Sequence, residues 1–426
     1  MASLSYIDFS AHHAVFAPAS ITWVREAKTS HLKSVPQIFW ADGNSWREAN
    51  LWAIARAKST DVKIETIQSD FLSILVYANW LEESETDWTH FPLRRQDRCL
   101  VKFRGWLVSK RNDAEISPSY ATKCMGCAVK LYRWFLSVGV LSPELSLWSD
   151  GAAKIKIHDC VGFERSITVG STDLAIRNRR APRSQLEDGL TPVSTSDRDS
   201  ILRLTAAKAS IELFQMLSLG FFTGLRVRTI ADLKVQTLER AVPHPLIPSL
   251  ALLSVGPGAD PPVHTKFGVT GQIPISRPHL DELRSYAFSP RRLLRESKAT
   301  AQDRDLIFLT KYGNRYADGG SDKSRSINVE MSRLRSSGAV AGLKVLSCFK
   351  FHQSRCTFAT EVAALAIASG DEVNAISVVK ELLLHRDEAT SLKYIKFAHQ
   401  LPVKAAMANE FSKALLGAIS ARATNE

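Results

Sequence analysis

Between Asp150 and Ser196 the chain loses its apolar periodicity. The run IRNRRAPRSQLEDGLTPVSTSD is polar, carries four arginines from Arg177 to Arg183, and is broken by Pro182 and Pro192. Such a stretch buries too little apolar surface to offset the entropy of ordering it in a core. It divides the 426 residues, a length beyond what one compact core holds, into two folding regions. We read 151–190 as an interdomain linker.

Upstream, apolar residues recur at helical spacing. Ile67, Phe71, Ile74, Leu75 and Ala78 mark a first helix up to Trp80, and Leu100, Phe103, Trp106 and Leu107 a second. A third starts after Ser117-Pro118, carries Ala121, Cys124, Ala128, Leu131 and Phe135 on one face, and ends at Gly139. Residues 61–150 therefore read as a helical domain. Lys123, Lys130 and Arg133 share another face of the third helix, a stripe that is either solvated surface or a track for phosphates. Residues 1–60 mix aromatics (Tyr6, Phe9, Phe16, Trp23, Phe39, Trp40, Trp46) with the breakers Pro18 and Pro36. We treat them as an N-terminal extension of unknown role, which packs on the next domain or touches a partner.

Downstream, Thr195-Ser196-Asp197 opens a helix, Thr223-Gly224 a turn, and Leu225-Arg226 a second short helix. LALLSV at 250–255 and GQIPIS at 271–276 read as strands around a loop holding Pro261, Pro262 and Lys266, and DLIFLT at 305–310 as another short strand. The rest is helical, including the amphipathic tail VKAAMANEFSKALLGAI. The expected fold is mainly α with a small antiparallel β-sheet, with 191–426 forming one α+β domain.

The 55 Lys+Arg against 43 Asp+Glu give a net charge of +12, which favours a polyanionic partner without identifying it. With no run of about 20 apolar residues, no membrane span is expected. The opening MASLSYIDFSAHHAV lacks a basic segment followed by an apolar core, so a cytoplasmic protein is expected. The six cysteines are scattered and make no disulfide framework. Cys124-Met-Gly-Cys127 has zinc-like spacing, but it lies inside a helical pattern with no second pair at finger spacing; we read two buried helix thiols, with no metal and no cofactor.

The chemistry-bearing segment runs from Phe351 to Tyr394. FHQSRCTFAT places His352 and Arg355 three residues apart at a helix start, and ELLLHRDEATSLKYIK supplies His385 and Tyr394. Two imidazoles, a guanidinium and a phenol suit a phosphodiester, because three can hold negative oxygens while the fourth attacks.

Taken together these motifs resemble the tyrosine recombinases, the phage-type integrases. Residues 64–141, with YATKCMGCAVKLYRWFLSVGVL the most similar piece, look like that family's helical core-binding domain, and 191–398 like its catalytic domain. The family's first arginine, in a TGLR turn, is Arg226; its hairpin lysine is Lys266; its HxxR box is His352-Gln353-Ser354-Arg355; its second histidine position is His385; its nucleophile is Tyr394. The chain departs from the pattern in having Thr229 where an acid is usual, Leu384 where glycine is usual, Cys356 after Arg355, and a longer segment before His385 that includes SGDEVNAIS.

The resemblance implies a site-specific recombinase that cleaves and rejoins DNA through a covalent 3′-phosphotyrosine, for integration, excision or transposition of a mobile element, with neither ATP nor metal. Arg226 and Arg355 would hold the nonbridging oxygens, Lys266 would protonate the leaving 5′ oxygen, His352 would take or orient the phenol proton, and His385 would donate to the phosphate. Neighbouring cations would favour the phenolate of Tyr394. It further implies two domains clamping double-stranded DNA and a homotetramer on paired sites; the amphipathic pattern of the tail after Tyr394 suits either coupling neighbouring protomers there or folding back on its own domain. A type IB topoisomerase uses similar chemistry, and a catalytically silent DNA-binding regulator descended from a recombinase would share the motifs.

Overall fold

A computed structural model describes residues 1–17, 20–25, 31–59, 62–158, 164–176, 186, 189–317, 324–369, 372–400, 402 and 410. The chain forms two compact units, Met1–Ala181 and Pro182–Glu426. The arginine run at 177–183 and nearly all of the amphipathic tail lie outside the described residues.

In the first unit, β1 (Ser3–Phe9) pairs antiparallel with β4 (Leu32–Phe39), and β2 (His12–Ala17) with β3 (Ser20–Arg25). Four helices follow: α1 (Arg47–Lys58), α2 (Ile64–Glu83), α3 (Cys99–Asn112) and α4 (Pro118–Ser137). α4 begins where the sequence says it should. The Ser117 hydroxyl accepts from the Tyr120 N–H, and Pro118 occupies the first turn, where a missing N–H costs nothing. Ile67, Phe71, Ile74 and Ala78 of α2 share one core with Ala121, Cys124, Ala128, Leu131 and Phe135 of α4. Inside it the Tyr77 and Tyr132 hydroxyls lie 2.7 Å apart, and Tyr132 donates to the Trp88 carbonyl at 2.6 Å.

Of residues 1–60, expected as an extension that packs on the next domain or touches a partner, Val35, Ile38, Trp46, Ala49, Trp52 and Ala53 are built into this same core. The Asn50 side chain of α1 both accepts from the Ile38 N–H at 2.7 Å and donates to its carbonyl at 2.9 Å. A helix thereby stands in for a neighbouring strand of β4. The segment expected as a linker holds most of a hairpin, β5 (Asp150–His158) against β6 (Glu164–Thr172), and then Leu174 and Ile176, which are buried in the first unit's core. Cys124 and Cys127 are buried on α4, and burial beside Asp70 pushes the Cys127 thiol up to about 12.

In the second unit the order is α5 (Thr195–Lys208), α6 (Ile211–Thr223), α7 (Val227–Ala231), α8 (Val235–Glu239), β7 (Val242–Pro243), β8 (Leu250–Val255), β9 (Gly271–Ser276), α9 (Arg277–Ala287), α10 (Pro290–Glu296), α11 (Arg325–Val340), α12 (His352–Ala368), α13 (Glu372–Leu382) and a further helical stretch over 388–400. β7, β8 and β9 form an antiparallel sheet in that order, the small sheet expected of a mainly α chain, and the described residues hold three two-stranded antiparallel sheets besides.

DLIFLT is not a strand of any sheet. Leu306, Ile307, Phe308 and Leu309 are all buried, and the segment makes only isolated bridges, Lys234 with Leu306 and Leu309 with Arg315. Its apolar run reflects burial on every side, not sheet pairing.

α6 crosses α12 closely. A Cβ at Gly220 would come 2.2 Å from Ser354 Oγ, and one at Gly224 would come 2.4 Å from Phe358 Cδ1. Glycines one turn apart on α6 let the backbones approach, and Gly224, at φ +66°, ends the helix.

Candidate active site

The left-handed turn at Gly224 reverses the chain so that Arg226, half-buried, stands directly before the first residue of α7. Across from it on α12, Arg355 is 3% exposed and donates from Nη1 to the Gly224 carbonyl at 2.6 Å and from Nη2 to the Leu383 carbonyl at 2.8 Å. Carbonyls at helix ends lack partners within their own helix, and one guanidinium here satisfies two of them. Arg355 thus fixes the turn carrying Arg226 against the end of α13.

Arg226, Arg355 and Lys266 line one small pocket together with Thr229, Thr265 and Leu384. Lys266 is exposed in the β8–β9 connection, and its Nζ lies 5.4 Å from the centroid of the neighbouring Phe267 ring. The Arg386 guanidinium lies 5.9 Å from the same ring, which brings the loop after His385 beside that of Lys266.

His385 is 5% exposed, and its Nδ1 shares a 2.9 Å hydrogen bond with the buried Ser391 hydroxyl. Its ring stacks on Tyr394, centroids 5.9 Å apart at 16°. The Asp387 carboxylate accepts from the Thr390 N–H at 2.9 Å, starting the 388–400 helix, and that bond holds its pKa below the ordinary value.

Three of the six expected residues sit outside this pocket, His385 with its ring on Tyr394 being the first. His352 is the first residue of α12, one turn before Arg355; it is half-buried and does not line the pocket. Tyr394, expected among the cations, has no exposed surface. Its hydroxyl lies 3.8 Å from Cys356 Sγ, within an apolar cluster that includes Ala359, Val379, Leu383 and Ile395. The reason is its stripe: Tyr394, Ile395, Phe397 and Ala398 recur at helical spacing, and that face of the 388–400 helix is the buried one.

The departures from the family pattern also find places. Thr229 is buried in the pocket wall. Leu384 takes φ +50°, the left-handed conformation that glycine would adopt without strain. Part of the longer segment forms the start of α13, where Ala375 and Ile376 are buried against α12's cluster.

On α4 the three cations are exposed and already engaged. Lys123 donates to the Ser69 hydroxyl at 2.6 Å, Lys130 lies 3.9 Å from Asp70, and Arg133 pairs with Asp150 at 3.0 Å.

Sequence reasoning missed a basic cleft of about 730 Å³ in the second unit, lined by Lys208, Arg291, Arg295, Lys311, Arg325 and Arg333 with the exposed Tyr312. Its acids are occupied. Glu212, fully buried, accepts from Arg291 and Tyr286 and pairs with Arg295 at 3.0 Å, and Glu330 accepts from Ser210 and Tyr316. Among the described residues Lys208, Lys311, Arg325 and Arg333 form no ion pair. The only sequence signal is the helical spacing of Arg325 and Arg333, because the other cations come from distant segments.

Among the described residues no group of three or more His, Cys, Asp or Glu side chains stands together as a metal site, and no helix is long and apolar enough to cross a membrane.

No family model and no curated protein matches the chain. Among solved structures it is similar to the Tn1549 transposon integrase in complex with transposon right end DNA, at 12% identity and a TM-score of 0.47, covering 82% of this chain and 94% of that one. It is also similar to a lambda integrase dimer bound to a COC′ core site, at 10% identity and a TM-score of 0.47, covering 82% and 93% of the two chains. A lambda integrase tetramer bound to a Holliday junction gives 12% identity and a TM-score of 0.45 over 82% of this chain and 76% of that one.

Proposed function

We propose that the chain is a site-specific DNA recombinase of the tyrosine recombinase type, which breaks and rejoins strands of a mobile element through a covalent 3′-phosphotyrosine at Tyr394. The observation that carries this reading is the convergence of Arg226, Lys266 and Arg355, from three distant segments, on one pocket. A phosphodiester resists attack because its own charge repels nucleophiles and its leaving alkoxide is poor. Two guanidinium groups neutralise the nonbridging oxygens, and the lysine ammonium is the proton source for the leaving 5′ oxygen. The four cations of the basic cleft that form no ion pair among the described residues offer a further surface for a polyanion.

For reaction the phenol has to leave the apolar cluster and enter the pocket. The 388–400 helix joins α13 through 383–387, and rearrangement of that connection at Leu384 would carry both His385 and Tyr394 toward the cations. His352, one turn from Arg355, would then meet the phenol proton. The burial seen here is the resting form, which keeps an activated phenol off DNA that is not a substrate. The partner is double-stranded DNA, the working form a homotetramer on paired sites, the setting cytoplasmic, and no cofactor takes part.

The burial of Tyr394 favours one other reading, a silent DNA-binding regulator. A suicide substrate separates the two: duplex DNA from the junctions flanking the coding region, nicked next to the cleavage position so that the cut fragment diffuses away. The recombinase accumulates a protein–DNA adduct that Tyr394→Phe abolishes; a regulator shifts the DNA in a gel and forms no adduct.

A further inference from the structure

Phe267 occupies a position that neither folding nor the proposed chemistry explains. It follows Lys266 at the tip of the β8–β9 connection, the residue is 60% exposed, and it belongs to none of the apolar clusters formed by the described residues. Its backbone has φ +65°, and Gly268 follows at φ +66°. Two successive left-handed residues make a tight turn, for which asparagine or glycine is the favoured first residue and a bulky aromatic is disfavoured. The turn is closed by the Thr265 hydroxyl, which donates to the Val269 carbonyl at 2.6 Å. A strained backbone therefore holds an apolar ring in water at the edge of the cation pocket. The Lys266 ammonium and the Arg386 guanidinium lie over that ring, 5.4 and 5.9 Å from its centroid.

An exposed ring with two cations over it is the composition of sites that hold unpaired nucleotides: a base takes the ring face from the cations and stacks there, while the cations move onto the neighbouring phosphates. We propose that Phe267 is a stacking platform for a nucleobase that leaves the duplex stack beside the phosphate held by Arg226, Lys266 and Arg355. The proposal rests on the recombinase reading and deepens it by naming what the site requires next to the reacting phosphate, a locally unpaired base. Stacking on a ring is tolerant of base identity, so this contact selects deformable DNA, not a particular letter.

The test compares the binding, by fluorescence anisotropy, of two labelled duplexes of equal length, one fully paired and one with a central mismatch, to the full-length chain, to Phe267→Asn and to Phe267→Trp. Asparagine suits the left-handed turn and removes the ring, so a folding defect does not confuse the result. The wild-type chain prefers the mismatched duplex by about tenfold, Phe267→Trp keeps that preference, and Phe267→Asn loses it. A preference unchanged in Phe267→Asn, or absent from the wild type while both duplexes bind, overturns the stacking role and leaves the recombinase reading standing. Failure of the wild type to bind either duplex overturns that reading and the platform with it.

Discussion

The hydroxyl of Tyr394 lies 3.8 Å from the sulfur of Cys356, the residue directly after Arg355 on α12. One side of α12 thus holds the pocket's buried guanidinium, and the next residue holds the phenol away from that pocket. Cys356→Ala removes the atom against which the ring is packed and leaves a small cavity. We expect a loss of about 1 kcal/mol in stability, together with faster adduct formation on a suicide substrate because the buried form is penalised. Denaturant unfolding and a gel time course check the pair; slower adduct formation would contradict the resting-form account.

Arg355→Lys should damage both fold and chemistry. A lysine ammonium cannot reach the Gly224 and Leu383 carbonyls in the same fork geometry. Losing two charge-assisted bonds in a site that is 3% exposed should cost about 3 kcal/mol. Cleavage at a temperature where the variant remains folded should fall by about 10²–10³-fold. Urea unfolding and single-turnover cleavage measure the two effects separately.

Leu384 and Gly271 should be energetically coupled. A Cβ at Gly271 would lie 2.5 Å from Leu384 Cδ2, so Gly271→Ala alone should cost about 1–3 kcal/mol by overpacking. Leu384→Gly removes the obstructing side chain and relieves a left-handed leucine. The double variant should therefore be more stable than the sum of the singles predicts, a departure from additivity that a denaturant double-mutant cycle detects. Strict additivity would mean that the two positions do not press on one another.

Stability should depend on pH through His279 on α9, whose ring meets Phe222 edge-on. Burial lowers its pKa from 6.5 to about 4. Because the unfolded chain takes the proton more readily, stability is full above about pH 6.5 and declines as pH falls toward 4, by roughly 2–3 kcal/mol. His279→Gln should flatten that part of the profile, measured as unfolding free energy against pH.

How much of this was legible beforehand follows from where each contact originates. α2, α3 and α4 announced themselves through apolar residues at helical spacing, and β8 and β9 through short runs bounded by Gly and Pro. The N-terminal residues did not, because Val35 and Ile38 are covered by helices that come later in the chain. The motif reading named Arg226, Lys266 and Arg355, which line one pocket, but could not say where the phenol rests. That information was present in the stripe Tyr394, Ile395, Phe397 and Ala398, the pattern of a buried helix face, and the motif reading passed over it. The basic cleft was illegible because its cations, Lys208 through Arg333, converge only on folding.

The most direct test is to digest the protein–DNA adduct trapped on a suicide substrate and locate the modified residue by mass spectrometry. A nucleotide 3′-phosphate on the Tyr394 phenol is the predicted result. No adduct under conditions where the duplex is bound, or a nucleotide on any other side chain, would contradict the account.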